Sequence, residues 1–263
     1  GPALAIAAIG SFVAGPVGTL LIALFGPPLA EVALKFGSPE YFSLMLMGLV
    51  AAAVLAQGDI VKSLAMVAVG LLFGSVGSDV NTGVQRFSFG LPELSDGIGF
   101  IVLAVGVFAI GKIISNLGGS EARSVFTAKV SNLFPSKEDL KRSIGPILRG
   151  TALGSFFGVL PGTGPAIASF GAYMLEKRLA KDPDRFGKGA IEGVAGPESA
   201  NNGDAQCKFI PMLTLGLPAS GVMALMLGAL TIQGIQPGPE VMSSRPELFW
   251  GLIASMWIGN LLL

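Results

Sequence analysis

Two short elements carry the residue types that could hold a small anion inside an apolar chain. The first is Leu160-Pro161-Gly162-Thr163-Gly164-Pro165, in the middle of an apolar stretch, and the second is Thr214-Leu215-Gly216-Leu217-Pro218-Ala219-Ser220-Gly221. In a membrane chain a helix breaks at bilayer depth only where the freed amides and carbonyls face protein or a water-filled cavity. Breaks of this kind in transporters commonly build substrate and ion sites. At the first element the amides of Gly162, Thr163 and Gly164 are free to donate. A helix starting at Pro165 or Ala166 would point its positive end at the tip and favour an anion by about 0.3–1 kcal/mol, more when partly buried. The Thr163 hydroxyl is equally suited to capping that helix. At the second element the alternative is a proline kink whose carbonyls are re-satisfied by Ser and Thr.

A third stretch, Gly196-Pro197-Glu198-Ser199-Ala200-Asn201-Asn202-Gly203, is dense in polar groups for so apolar a chain. It reads as a carboxylate or sodium site, or as an exposed turn, since Gly, Pro, Asn and Ser are the ordinary turn residues. The candidate substrate ligands are therefore Pro161, Gly162, Thr163, Gly164, Ser199, Asn201, Asn202, Pro218 and Ser220. A buried carboxylate needs countercharge, and no histidine and no clear mid-membrane lysine or arginine supplies it. Helix N-termini carry only about half a unit charge each, which points to a co-bound sodium ion. Its candidate oxygen ligands are Glu198, Asn202, Thr214 and the Gly216 carbonyl, a donor set suited to a hard cation. Proton coupling through Glu198 or Asp204 is the other possibility.

Composition removes whole classes of function. The 263 residues carry zero net charge and are only 13% charged, about half of what a soluble domain shows, and mean hydropathy is +0.70. Nucleic-acid binding has no electrostatic support. With no histidine and one cysteine, Cys207, histidine-based triads, transition-metal sites and intrachain disulfides are out. No organic cofactor is expected. The 38 glycines and 17 prolines suit close helix packing and broken spans.

The predicted fold is an all-α polytopic membrane protein, an inverted-repeat carrier with re-entrant hairpins and broken helices. Spans are predicted at 3–25, 40–57, 60–77 and 97–117, with a connector at 26–38 and a polar loop at 78–96. Residues 118–143 form a cytoplasmic loop. Repeat two covers 144–263: a hairpin at 144–180, the polar motif at 196–204, a broken helix at 208–233, a loop at 234–246 and the start of a final span at 247–263. A polar, glycine-rich segment runs from 181 to 204. The chain opens without methionine and stops inside an apolar helix, so a fragment of a longer protein is expected. Residues 1–117 would then hold the second half of repeat one with its connecting helices. Ser38-Pro39-Glu40-Tyr41-Phe42 and Arg245-Pro246-Glu247-Leu248-Phe249 open comparable apolar runs and supply the repeat signal.

Charge decides how the hairpin is drawn. Its arms, Gly150–Leu160 and Ala166–Leu175, are each about 15 Å long, half a hydrocarbon core. Basic residues flank both: Arg123, Lys129, Lys137, Lys141, Arg142 and Arg149 before, Lys177, Arg178, Lys181, Arg185 and Lys188 after. A single kinked span would put one basic loop on the non-cytoplasmic side, against the positive-inside tendency. A turn at Pro161–Pro165 keeps both inside.

These motifs resemble a known family. Leu160 to Pro165, Glu176-Lys177, the run from Phe186 to Asn202, Pro211 to Ser220 and Gln236 to Glu240 look like the TctA-type large membrane subunit of tripartite tricarboxylate transporters, most specifically over 158–239. The resemblance implies a multi-pass permease of the bacterial inner membrane, a secondary carrier of carboxylates driven by sodium or protons. It implies two partners, a small TctB-like membrane subunit and a TctC-like periplasmic solute-binding protein, in a lipid bilayer; a homo-oligomer stays open. By resemblance the family's Gly-x-x-Pro-Gly-x-Gly-Pro element falls on Gly158 and Pro161 to Pro165, and its polar stretch on Pro197 to Asn202. Gly203-Asp204-Ala205 departs from the family, where small apolar residues are usual, and leaves the role of Asp204 open. Alternatives are another hairpin-type carrier or a non-transporting scaffold subunit. An intramembrane aspartyl enzyme is disfavoured, because Asp204 has no second intramembrane aspartate to pair with.

Overall fold

The computed structural model describes residues 2–55, 59–79, 82–118, 134–160 and 163–262, and they are mostly helical. In chain order come α1 (Pro2–Ala33), α2 (Ser38–Leu55) and α3 (Ile60–Gly74). A two-stranded antiparallel ribbon follows, β1 (Gly77–Ser78) with β2 (Gln85–Arg86). Then come α4 (Phe100–Ala104), a π-helical turn over Val105–Ile110, and α5 (Gly111–Gly118). The second half holds α6 (Lys137–Val159), α7 (Pro165–Leu179), α8 (Glu192–Cys207), α9 (Phe209–Leu215), α10 (Gly221–Ile232), α11 (Glu240–Ser244) and α12 (Pro246–Leu262). Among the described residues, Pro2–Ala33 and Phe100–Leu117 are long and apolar enough to cross a membrane.

Three expectations are corrected. The connector at 26–38 is instead the last two turns of α1, which continues through Pro27 and Pro28 to Ala33. Packing outweighs the lost amides: Gly26 sits against Phe249, whose ring would lie 3.2 Å from an added Cβ. The glycine-rich stretch read as polar loop or turn becomes helix α8 over Glu192–Cys207, because its small residues let three other helices close in, and tertiary contact overrides weak helix propensity. The loop at 234–246 contains the short helix α11. Residues 119–133 of the expected cytoplasmic loop lie outside the described residues. Its last part is already helical: Ser136 opens α6 with a capping box, its hydroxyl accepting from the Asp139 amide at 3.1 Å while the Asp139 carboxylate accepts from the Ser136 amide at 3.1 Å. The Ser136 hydroxyl also donates to the Asp139 carboxylate at 2.7 Å, and this bond, with that from the Ser136 amide, holds the Asp139 carboxyl below its ordinary value of 3.8.

α8 is the centre of the bundle. Along α6, Gly150, Gly154 and Gly158 face Gly196, Ala200 and Asp204 of α8. The partners advance together by four residues, so α6 and α8 run parallel, backbone against backbone. α1 packs parallel to α8 on another side, with Gly10 at Ser199 and Gly18 at Gln206. α7 runs antiparallel to α6: Arg149 pairs with Glu176, and Gly171 lies beside Leu153 and Phe157. The chain therefore reverses between Leu160 and Pro165, and the outer ends of α6 and α7 lie at one end of the bundle. A buried apolar cluster of Ile22, Ile210, Met212, Leu213, Met223 and Phe249 joins α1, α9, α10 and α12.

Candidate functional site

The hairpin tip is built by closing one helix and opening the next. The Thr163 hydroxyl, 1% exposed, lies within 2.5 and 2.7 Å of the Phe157 and Leu160 carbonyls. It closes the C-terminus of α6 and does not cap α7. Gly164 is the N-cap of α7 and Pro165 its first residue, so the position after the cap offers no N–H. The Ile167 amide is bonded back to the Gly164 carbonyl at 2.9 Å. Space at Gly164 is open, with nothing within 4 Å of an added Cβ. Pro161 and Gly162 lie outside the described residues.

The second break meets this tip. Gly216 ends α9 in the left-handed conformation, φ +69°, and the Pro237 carbonyl would lie 2.7 Å from any Cβ there, so only glycine fits. Past Leu217, Pro218 and Ala219 the chain extends to Ser220, whose hydroxyl caps α10 by accepting from the Met223 amide at 3.3 Å. A cavity of about 540 Å³ is bordered by Pro165, Ala205, Lys208, Ser220, Gly221 and Phe108. The starts of α7 and α10 thus open on one cavity. Phe108, from the π-helical turn, comes so close to Gly221 that an added Cβ would meet its ring at 2.7 Å.

Lys208 was not foreseen, and it corrects the expectation that no buried cation is available. It is 2% exposed and Asp204 is 0% exposed; the two form an ion pair one helical turn apart. Its position follows from Pro211, which has no N–H to offer the Cys207 carbonyl and would clash with it. The hydrogen-bond ladder is therefore interrupted between α8 and α9 at Lys208, whose own backbone stays helical at φ −60°, ψ −20°. The sequence signal was there in the Asp204/Lys208 spacing followed by Pro211.

The polar stretch of α8 divides between faces. Asn202 turns toward α1: its amide donates to Ser11 Oγ at 2.8 Å and to the Glu198 carbonyl at 3.2 Å, and Ser11 donates to Glu198 Oε1 at 3.2 Å. Ser199 is fully buried against Gly10 and donates to the Ala195 carbonyl at 2.8 Å. Asn201 shares a helix face with Ala205, four residues on, which borders the cavity. Asn202 is thus turned toward α1 rather than toward that cavity. The cation candidates also separate. Thr214 donates to the Ile210 carbonyl at 2.7 Å, and it lies twelve residues from Asn202, about 18 Å along the helical rise. Glu198 and Asn202 form one group, Thr214 and Gly216 another. A further polar contact escaped the sequence: Asn260 of α12 accepts from Gln206 at 3.0 Å and donates to Thr19 at 3.2 Å. No group of three or more acidic or cysteine residues able to hold a metal occurs among the described residues.

The outer end of the hairpin is ionic. Arg149 grips Glu176 with two bonds of 2.8 and 2.6 Å, and Arg142 grips Glu192 at 2.9 and 2.6 Å. These pairs fasten α6 to α7 and α8.

Two interrupted helical segments thus meet at one cavity. The family model "Tripartite tricarboxylate transporter TctA family" matches residues 1–263. The chain belongs to the TctA family. It is 59% identical over its whole length to an uncharacterized 52.8 kDa protein from the TAR-I ttuC' 3' region of Agrobacterium vitis, covering 52% of that protein. It is also 67% identical over 110 residues to an uncharacterized protein from the TAR-II ttuC' 3' region of the same organism, covering 42% of this chain and 46% of that one. The chain spans about half the length of these curated relatives. No solved structure matches it.

Proposed function

We propose that this chain is part of the permease of a tripartite carboxylate uptake system, a cation-coupled secondary carrier in the bacterial inner membrane. The carrying observation is the meeting of two chain breaks, at Pro165 and at Ser220–Gly221, on one cavity in a TctA-family chain. Helix starts aimed at a shared cavity favour an anion. On this reading α6 and α7 are a re-entrant hairpin that enters and leaves on the cytoplasmic side. The shared outer end of the two helices and its basic flanks support that placement. The matching starts of α2 and α12, each at a Pro-Glu step, support an inverted repeat whose other hairpin belongs to the remainder of the protein.

The anion is an organic acid handed over by a TctC-like periplasmic protein, with a TctB-like subunit alongside. Sodium is the proposed coupling ion, with Glu198, Asn202 and Ser11 as the group suited to it. The experiment is uptake of radiolabelled citrate, succinate and tartrate into proteoliposomes containing the full-length protein and its partners, with a sodium gradient, a pH gradient or neither. Sodium-dependent uptake supports the reading. Uptake driven by the pH gradient alone refutes sodium coupling, and no uptake under any gradient refutes the carrier.

A further inference from the structure

We propose that Lys208 is the cation that receives a carboxylate of the transported anion, and that Asp204 holds its ammonium whenever no anion is bound. This rests on the carrier reading above and adds the charged residue that reading lacked.

Four observations carry it. First, Lys208 borders the 540 Å³ cavity together with the starts of α7 and α10, two helices of 15 and 12 residues. Helix starts offer fractional positive charge, and Lys208 adds a whole one at the same place. Second, Lys208 and Asp204 are 2% and 0% exposed. Taking an ion pair out of water is costly, and an apolar pair of similar size would usually hold a bundle as well. A charge kept inside a membrane bundle marks a substrate or ion path by default. Third, the pair is incomplete as a structural element: Asp204 Oδ1 is buried without a hydrogen-bond partner, whereas Arg149 and Glu176 satisfy each other with two bonds. Fourth, Lys208 sits at the break between α8 and α9, where its flexible four-carbon stem lets the ammonium trade one carboxylate for another without moving a helix. Asp204 and an incoming carboxylate therefore compete for one ammonium. The lysine always has a carboxylate partner, and the Asp204 carboxylate, when displaced, is neutralised by a proton or by the coupling cation.

The test uses the full-length protein with its partner subunits, and citrate, succinate and tartrate as probe anions. Binding to the purified protein and uptake into proteoliposomes are both measured. The double variant D204N/K208Q removes both charges and leaves neither stranded. It is expected to stay folded and to bind the anion that wild type prefers at least tenfold more weakly. The single variant D204N keeps the lysine and removes its competitor, and is expected to bind at least threefold more tightly. A structural ion pair predicts the reverse for D204N, because the lysine would be left without a partner. Adding Ala205→Lys to the double variant returns a cation to the cavity wall and is expected to recover part of the lost affinity. A folded double variant that binds within twofold of wild type overturns the inference and leaves the carrier reading intact. Should the double variant fail to fold, D204N decides alone: unchanged or weaker binding overturns the inference. A wild type that binds through Lys208 yet carries nothing across the bilayer overturns the carrier reading and not this subsite. A wild type that binds none of the three anions overturns the subsite.

Discussion

Gly154→Ala is the sharpest test of the bundle, because one methyl group separates two opposing effects of similar size. In an exposed helix the change is stabilising by about 0.5–1 kcal/mol, since alanine loses less backbone freedom than glycine. At Gly154 the new Cβ would stand 2.6 Å from the Ala200 Cα and 2.7 Å from its carbonyl carbon. These are backbone atoms of α8, so no rotamer change relieves the overlap. α6 and α8 must move apart, and the contacts at Gly150 and Gly158 on the same face loosen with them. Overpacking of this kind costs about 1–3 kcal/mol. The net loss expected is about 0–2.5 kcal/mol, up to a factor of roughly 70 in the folded-to-unfolded ratio, and about 1–3 kcal/mol relative to an unhindered glycine-to-alanine change. Gly259→Ala on α12 is the control, with nothing within 4 Å of its added Cβ, and Gly171→Ala is intermediate, at ordinary contact with Leu153 at 3.5 Å. Tryptophan fluorescence of Trp250 and Trp257 during denaturation in mixed micelles measures all three. Equal stability of Gly154→Ala and Gly259→Ala would refute the parallel, backbone-close packing of α6 on α8.

Arg149→Ala should destabilise more than Glu176→Gln, by about 1–3 kcal/mol after discounting for solvent around the arginine, because Glu176 is 3% exposed and Arg149 43%; the two midpoints in the same assay check the order. In a Cys207→Ala background, Ser136→Cys and Asp184→Cys should react with an impermeant maleimide from the same side of the membrane, and reaction from opposite sides would end the re-entrant hairpin. Gly164→Leu points into open space, so it should leave the melting temperature within a few degrees while cutting carboxylate uptake at least tenfold if the anion approaches the tip. Asp139 has a depressed folded value, so the capping box contributes above its ordinary value of 3.8 and is lost as pH falls through the folded value. Protection of the Leu140 amide, bonded to the Ser136 carbonyl at 3.1 Å, should drop in acid, and Ser136→Ala should flatten that dependence.

What the sequence made legible was local. Breaks depend on proline and glycine at particular places, so the interruptions before Pro165 and at Gly216–Ser220 could be read directly, while the reversal at the first was drawn from the basic flanks. Spans follow from apolar length, and α2, α3 and α12 begin within a few residues of where hydropathy puts them. Non-local packing was not legible. Gly196, Asn201, Asn202 and Gly203 are turn residues by composition, and only close contact with α1, α6 and α7 makes the segment a helix. The same applies to α1, whose Pro27 and Pro28 read as a stop until Phe249 and Met242 of distant helices supply the contacts that carry the helix past them.

The miss at Lys208 has a different origin. Lysine in an apolar chain was weighed by its distance from the middle of a span, and Lys208 stands where a polar stretch ends and an apolar one begins. Depth in the folded bundle is set by where α8 stops, and α8 stops because Pro211 cannot continue the ladder. That stop brings Lys208 level with the tip of a hairpin some forty residues earlier in the chain and with the start of α10 after it. The glycine and proline elements shape the cavity, and the charge that suits it to an anion comes from a residue outside every motif. Asp204 stands one turn before the lysine it pairs with. A stored lysine of this kind gives an incoming carboxylate a cationic partner inside an apolar bundle, and the Asp204 carboxylate it displaces is then neutralised by a proton or by the coupling cation.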